Sequence, residues 1–264
     1  MNNTNLVFIV GSGRCGTKTI AKMLAGIPEI EAHHEYCRYH YQREAILYAI
    51  NRLGRELVVP RLLSIYESAA YYSESPIFLD SSHKLVWVID ILQDIFPNAK
   101  FVHLIRDGHK VVSSFYYKLN LHNDNAAKIF RDWISKPGLL PLPPPSEQYW
   151  MSPHVHKGDR FERICWHWRD TNSKILEATH ESNKIVVRLE DMVDNSGEVK
   201  RVAEFIGIKY DNSFWRFLQK PDHVYVPIDY KLTDEQRRKF AEICTPLMNH
   251  FGYNINEKEY DVKY

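Results

Sequence analysis

An apolar run, Leu6 to Val10, opens directly into Gly11-Ser12-Gly13-Arg14-Cys15-Gly16-Thr17-Lys18-Thr19. A short strand that breaks into a glycine-rich loop and then a helix is a local design for holding an anion. Glycines let the main chain approach the ligand closely. The first-turn N–H groups of the helix, which have no intrahelical partner, point at it. Arg14 and Lys18 add positive charge at the same place, and Gly13, Cys15, Gly16, Thr17 and Thr19 complete the candidate cradle.

Three other segments read as buried parallel strands, being short, apolar and β-branched or aromatic: Pro76–Leu79, Lys100–Ile105 and Lys184–Leu189. Helical patterns are expected over Thr17–Gly26, Arg43–Ala70 (as two helices), Lys84–Phe96, His109–Leu119, Ala126–Ile134, Arg160–His180, Gly197–Ile206 and Thr233–Phe251. Strands alternating with helices imply crossover connections. The expected architecture is an α/β three-layer sandwich with a central parallel sheet and P-loop-like nucleotide-binding topology. One domain is expected over residues 1–264, interrupted by a proline-rich excursion at 136–153. That excursion reads as a stiff surface segment or as a lid over a substrate pocket.

The net charge of +1 leaves no global attraction for nucleic acid or an anionic membrane, so any anion preference is local and no nucleic-acid partner is expected. Cys15, Cys37, Cys165 and Cys244 are scattered, with no C-x-x-C pair, which reads as reduced thiols in a cytosolic protein. No stretch approaches the roughly 20 apolar residues of a membrane span. Met1–Asn5 lacks the basic and apolar regions of a signal peptide, and a cytoplasmic location is expected.

A second anion site is expected where the strand ending at Ile105 runs into Arg106-Asp107-Gly108. Arg106 stands at the carboxyl end of a central strand, where open α/β sheets bind ligands. Ser114 follows eight residues later in a helix, and an arginine fork with a hydroxyl donor suits a second phosphate. The first loop is not a Walker A motif, because Gly16 is followed by Thr17 and the lysine comes one residue late.

With both sites in view, the chain resembles the PAPS-dependent sulfotransferases, whose donor is 3′-phosphoadenosine 5′-phosphosulfate. Arg14-Cys15-Gly16-Thr17-Lys18-Thr19 is similar to the family's 5′-phosphosulfate loop, and Leu104-Ile105-Arg106-Asp107 with Ser114 to its 3′-phosphate motif. The likeness extends through Phe96–Phe101, Val187–Val193 and Ala203–Ile208. Cys15 stands for the usual serine, Lys18 for Thr or Ser and Gly108 for a frequent proline, and the C-terminal Arg-Lys-Gly cofactor loop of the cytosolic branch is absent.

The resemblance implies in-line sulfuryl transfer to a hydroxyl or amine, giving PAP and a sulfated product. Arg14 would hold the leaving phosphate, and no metal would be required. Three residues are candidates for the base that takes the acceptor's proton: Glu35, which matches the glutamate of the tyrosylprotein sulfotransferase branch, His34 and His83. Ser81 or Ser82 reads equally well as a helix cap, Lys84 could reach the sulfuryl oxygens, and Arg188 and Glu190 read as architectural. A metal on His33, Cys37 and His40 would need a helix there. The rival functions are a P-loop kinase using Mg-ATP, with Asp80 on the ion, and a catalytically inactive nucleotide-binding protein. A small-molecule, glycan or peptide acceptor is left open, as is oligomeric state.

Overall fold

Strand β1 (Asn5–Val10) is the middle strand of a five-stranded sheet in which every pairing is parallel. The computed structural model describes residues 4–49, 51–118, 158–219, 230–253 and 261–262, in two units. The first unit is Met1–Arg106 with Lys174–His223; the second is Asp107–Ser173 with Val224–Tyr264. The helix expected at Ala126–Ile134 and the proline-rich excursion lie outside the described residues.

In the first unit, β1 leads through the glycine loop to α1 (Thr17–Leu24), then β2 (Ile30–His34), α2 (Arg38–Ala49), α3 (Arg55–Tyr72) and β3 (Ile77–Ser81). A 3-10 turn (His83–Val88), α4 (Ile89–Ile95) and β4 (Lys100–Ile105) follow. In the second unit lie α5 (Gly108–Ser113), a π turn (Ser114–Lys118) and the larger part of α6 (Arg160–Ala178). The chain returns to the first unit with β5 (Lys184–Arg188), α7 (Leu189–Asp194), α8 (Ser196–Ile206) and α9 (Asn212–Leu218). It ends in the second unit with β6 (Tyr230–Lys231), α10 (Asp234–His250) and β7 (Asp261–Val262).

The sheet order is β2-β3-β1-β4-β5. Alternate side chains of β1 supply two cores. Val7 and Ile9 pack with α1 and α8 through Ile20, Leu24, Val202 and Ile206. Leu6, Phe8 and Val10 pack with α2, α3 and α4 through Tyr41, Leu62, Tyr66 and Leu92. Burial on both faces explains why β1 is an unbroken apolar run. The first unit is thus a helix–sheet–helix sandwich, as expected. Phe8 is fully buried, edge-on to Tyr66 at 5.0 Å and beside Phe101 at 5.5 Å. Truncating it to alanine would cost roughly 3–5 kcal/mol.

Local features beside the site depart from the sequence reading. β2 was not expected as a strand: only Ile30 is buried, and Glu31, Ala32, His33 and His34 are half-buried or exposed. It is an edge strand paired with β3 alone, so it carries no two-sided apolar signal. The helix expected from Lys84 begins instead as a 3-10 turn capped by Ser82, whose hydroxyl accepts from the Lys84 N–H at 3.1 Å.

The second unit packs α5, α6 and α10 closely. A Cβ on Gly108 would stand 3.0–3.2 Å from Met248, Phe240 and Trp168, and the His109 ring stacks on Phe240 at 3.8 Å. A capping box of Thr233 and Gln236 starts α10.

Candidate active site

The glycine loop leaves β1 at the carboxyl edge of the sheet, where the order switches sides, since β1 is flanked by β3 and β4. Gly13 (φ 79°), Arg14 (φ 55°) and Gly16 (φ 95°) all adopt left-handed backbone, which curls the chain into a cradle. Gly16 is the N-cap of α1, and no side chain caps the helix. A Cβ there would meet both Leu189 methyl carbons at 3.0 Å. At Gly11 a Cβ would fall 2.3 Å from the Leu104 carbonyl oxygen, so the loop must run tight against β4.

The Ile20 N–H bonds the Gly16 carbonyl at 3.0 Å, so the amides of Thr17, Lys18 and Thr19 precede the first intrahelical bond. The first turn of α1 carries no acidic residue, and the Arg14 and Lys18 side chains are exposed at the mouth. Amides without helical partners, two cations and no competing carboxylate form a donor set that fits a phosphate or sulfate group. Cys15 is fully buried and its thiol is pushed up to about 11 by that burial, so it stays neutral and acts as a spacer.

Arg106, at the end of β4, donates from Nη1 to the Arg14 main-chain carbonyl at 2.9 Å. The loop and the expected second anion ligand are therefore joined. Ser114 belongs to the second unit, where it is buried and closes α5, its N–H bonding the Lys110 and Val111 carbonyls. The pairing of Ser114 with Arg106 rests on their spacing in sequence.

Beside the loop, the ends of β2 and β3 carry the three candidate bases. Glu35 has left-handed backbone (φ 58°), and its side chain is only 5% exposed. One carboxylate oxygen, Oε2, takes a close ion pair from Arg38, and the other, Oε1, lies 3.2 Å from His83 Nδ1. Burial holds His83 well below the ordinary imidazole range, and the cations Lys84, Arg38 and Arg14, with His34, add to the effect. His83 is therefore neutral at pH 7, and the carboxylate at Nδ1 favours the tautomer protonated there, which leaves Nε2 as a free acceptor.

His34 Nδ1 lies 2.7 Å from the Ser81 carbonyl. Its pKa is also lowered, by burial and then by Lys18 and Arg38, against the raising effect of that carbonyl. Lys84 is buried and held well below the lysine range by desolvation and by Arg38. Ser81 donates to the Thr17 carbonyl at 2.8 Å, which ties β3 to the loop.

Asp80 is fully buried. Its Oδ1 accepts the Tyr36 N–H at 3.0 Å and its Oδ2 the Tyr66 hydroxyl at 2.7 Å. Both oxygens are committed inside the protein, which counts against the kinase reading of this residue as an ion ligand. His33 lies on β2, Cys37 in a turn and His40 on α2, so the helical spacing a metal site required does not arise. His33 instead approaches Glu31 at 2.9 Å and stacks on Phe78. Arg188 pairs with Asp191 through two bonds of 2.6 and 2.7 Å, an architectural contact.

Sequence reasoning brought together Arg14, Lys18, Arg106, Glu35, His34 and His83. It missed Arg38 as the partner of Glu35, and Tyr66 and the structural role of Asp80. The only signal for Asp80 was a carboxylate ending a strand otherwise apolar from Ile77 to Leu79.

This fold and loop belong to one class. The chain is a member of the sulfotransferase family, whose model matches residues 6–138. The omega-hydroxy-beta-dihydromenaquinone-9 sulfotransferases Stf3 of Mycobacterium bovis and Mycobacterium tuberculosis are 23% identical to it over 219 residues, 78% of this chain and 51% of theirs. The chain thus spans about half the length of the curated relatives it matches. The sulfotransferase domain of the Synechococcus PCC 7002 olefin synthase superposes with a TM-score of 0.55 at 18% identity, over 97% of this chain and 98% of that domain. Mouse sulfotransferase SULT7A1, complexed with PAP, gives 0.50 at 15% identity, over 93% and 84%. At these identities the structural matches establish the fold. Among the described residues, no helix is long and apolar enough to cross a membrane.

Proposed function

We propose that the protein transfers the sulfuryl group of 3′-phosphoadenosine 5′-phosphosulfate to a hydroxyl acceptor, releasing PAP. The observation that carries this reading is the loop Gly11–Thr19, with its uncapped helix start, three left-handed residues and exposed Arg14 and Lys18. Arg106 takes the 3′-phosphate, and Ser114 is assigned to the same group from the sequence motif.

The reaction forms a bond from the acceptor oxygen to sulfur while the bond from sulfur to the 5′-phosphate oxygen breaks. The departing electron pair stays on that phosphate. Loop amides and Arg14 are aimed at the charge that develops there, which is where preorganised donors lower a barrier. The sulfuryl group carries less negative charge than a phosphoryl group, so these cations suffice and no metal is required.

His83 accepts the acceptor's proton at Nε2. Glu35 is its orienting partner: it faces Nδ1 at 3.2 Å and stabilises the imidazolium that forms. His34 is less suited, because a main-chain carbonyl rather than a carboxylate stands behind it. Glu35 itself is engaged on both oxygens by Arg38 and His83.

The acceptor class favoured is an alcohol, since the curated relatives are named for a hydroxylated menaquinone. The test is incubation with sulfur-labelled donor and a panel of primary alcohols, phenols, glycans, tyrosyl peptides and amines. Label in an alcohol, with equimolar PAP, is expected. Transfer of phosphate from Mg-ATP to any member, with the labelled donor untouched, would overturn the reading.

A further inference from the structure

Glu35 and His83 lie 48 positions apart in sequence, and their meeting depends on a strained turn. Glu35 has φ 58° and Cys37 φ 48°, two non-glycine residues in left-handed backbone on either side of Tyr36. Such residues persist only where the surroundings over-determine them. Two main-chain N–H bonds, besides the Tyr36 ring edge-on to Phe78 at 5.0 Å, hold this turn to β3. The Glu35 N–H reaches the Ser81 carbonyl at 3.3 Å, a long bond, and the Tyr36 N–H reaches Asp80 Oδ1 at 3.0 Å. Asp80 is in turn fixed by the Tyr66 hydroxyl at 2.7 Å, and it lies in β3 three residues before His83, which opens the 3-10 turn that follows the strand.

We propose that Asp80 is a positioning residue: by gripping the Tyr36 amide it locks the Glu35–Cys37 turn so that the Glu35 carboxylate meets His83 Nδ1 and Nε2 is presented as the acceptor. This rests on the assignment of His83 as the base. Asp80 touches neither donor nor acceptor in this scheme and acts through Glu35. Its charge is not needed, because an amide oxygen would accept the same N–H. In keeping with that, burial pushes its carboxyl up to about 7, against the pull of the Tyr36 N–H and the Tyr66 hydroxyl.

The test reads the His83 tautomer by nitrogen NMR on histidine-labelled protein, together with hydrogen exchange at the Tyr36 amide and PAP binding by calorimetry. Wild-type protein and Asp80→Asn are expected to hold the Nδ1–H form and a protected Tyr36 amide. Asp80→Leu, which fills the space without an acceptor, is expected to release both, shifting His83 to the Nε2–H form preferred in water, with PAP affinity unchanged. Tyr66→Phe removes a buried hydrogen bond from the same carboxylate but leaves the Tyr36 grip. It should lower the melting temperature without moving the tautomer, so that lost stability alone does not account for a tautomer shift in Asp80→Leu.

An unaltered His83 tautomer in folded Asp80→Leu would overturn the proposal. So would an unprotected Tyr36 amide in the wild type, a readout that stands even where Asp80→Leu fails to fold. Absence of PAP binding to the wild type, with the tautomer results as expected, would overturn the donor assignment instead and leave the positioning role in place.

Discussion

Arg106 donates to the main-chain carbonyl of Arg14 at 2.9 Å, which ties the end of β4 to the glycine loop, the two ends of the proposed donor site, through one side chain. Arg14 is one of the three left-handed residues of the cradle, so the guanidinium at the end of β4 helps hold the loop's shape as well as offering charge. Arg106→Ala should weaken PAP binding about 10- to 100-fold, the loss of a charge-assisted phosphate contact. It should also weaken adenosine 5′-phosphosulfate, which has no 3′-phosphate, by a smaller factor. Calorimetry with both ligands checks this; an undiminished affinity for the second would show that the loop does not depend on Arg106.

Arg14 is exposed in the glycine loop, and in the proposed reaction it meets the charge that forms on the leaving phosphate. Arg14→Ala is expected to lower kcat on the order of 10³-fold, by analogy with an arginine that stabilises a phosphoryl-transfer transition state. Steady-state kinetics with labelled donor, in the folded variant, measure it.

With His83 as the proposed base, the acid limb of the rate profile reports its protonation. An ordinary imidazole loses half its neutral form at pH 6.5, whereas burial and the cations around His83 hold its pKa well below that value. A base must be unprotonated to act, so kcat/KM, which reports the free enzyme, should stay level as pH falls through 6.5 and decline only further down. A half-maximal rate at pH 6.5 in the wild type would contradict the assignment.

Asp80 imposes the opposite sign on stability. Its folded pKa is raised from 3.8 to about 7, so between those values the folded state holds a proton that the unfolded chain has lost. This residue's contribution therefore falls as pH rises from about 4 to about 7. Relative to wild type, Asp80→Asn should match it below pH 4 and gain on the order of 4 kcal/mol by pH 8, from the 1.36 kcal/mol carried by each pKa unit. Urea unfolding of both proteins across that range is the measurement.

Much of this was legible in the chain. β1, the loop and α1 announce themselves because an unbroken apolar run meets glycines and cations within a few residues. β4 and Arg106 follow the same logic. β2 was not legible, since an edge strand with one buried residue, Ile30, looks like polar loop. Glu35, His34 and His83 were visible as three rival bases. Which two meet depends on the register that sets His34 beside Ser81 and on the left-handed turn at Glu35, and neither is written in local composition. Asp80 invited a metal-ligand reading because sequence does not show burial, and burial together with Tyr66 gives it a different task.

The central claim is that Gly11–Thr19 and Arg106 hold a 3′,5′-bisphosphorylated adenosine, and titration of PAP into the protein by calorimetry tests it most directly. One PAP is expected to bind per chain in the presence of EDTA, more than about tenfold (~1.4 kcal/mol) tighter than Mg-ATP binds in a buffer without the chelator. No saturable heat from PAP, or tighter binding of Mg-ATP, would contradict the account.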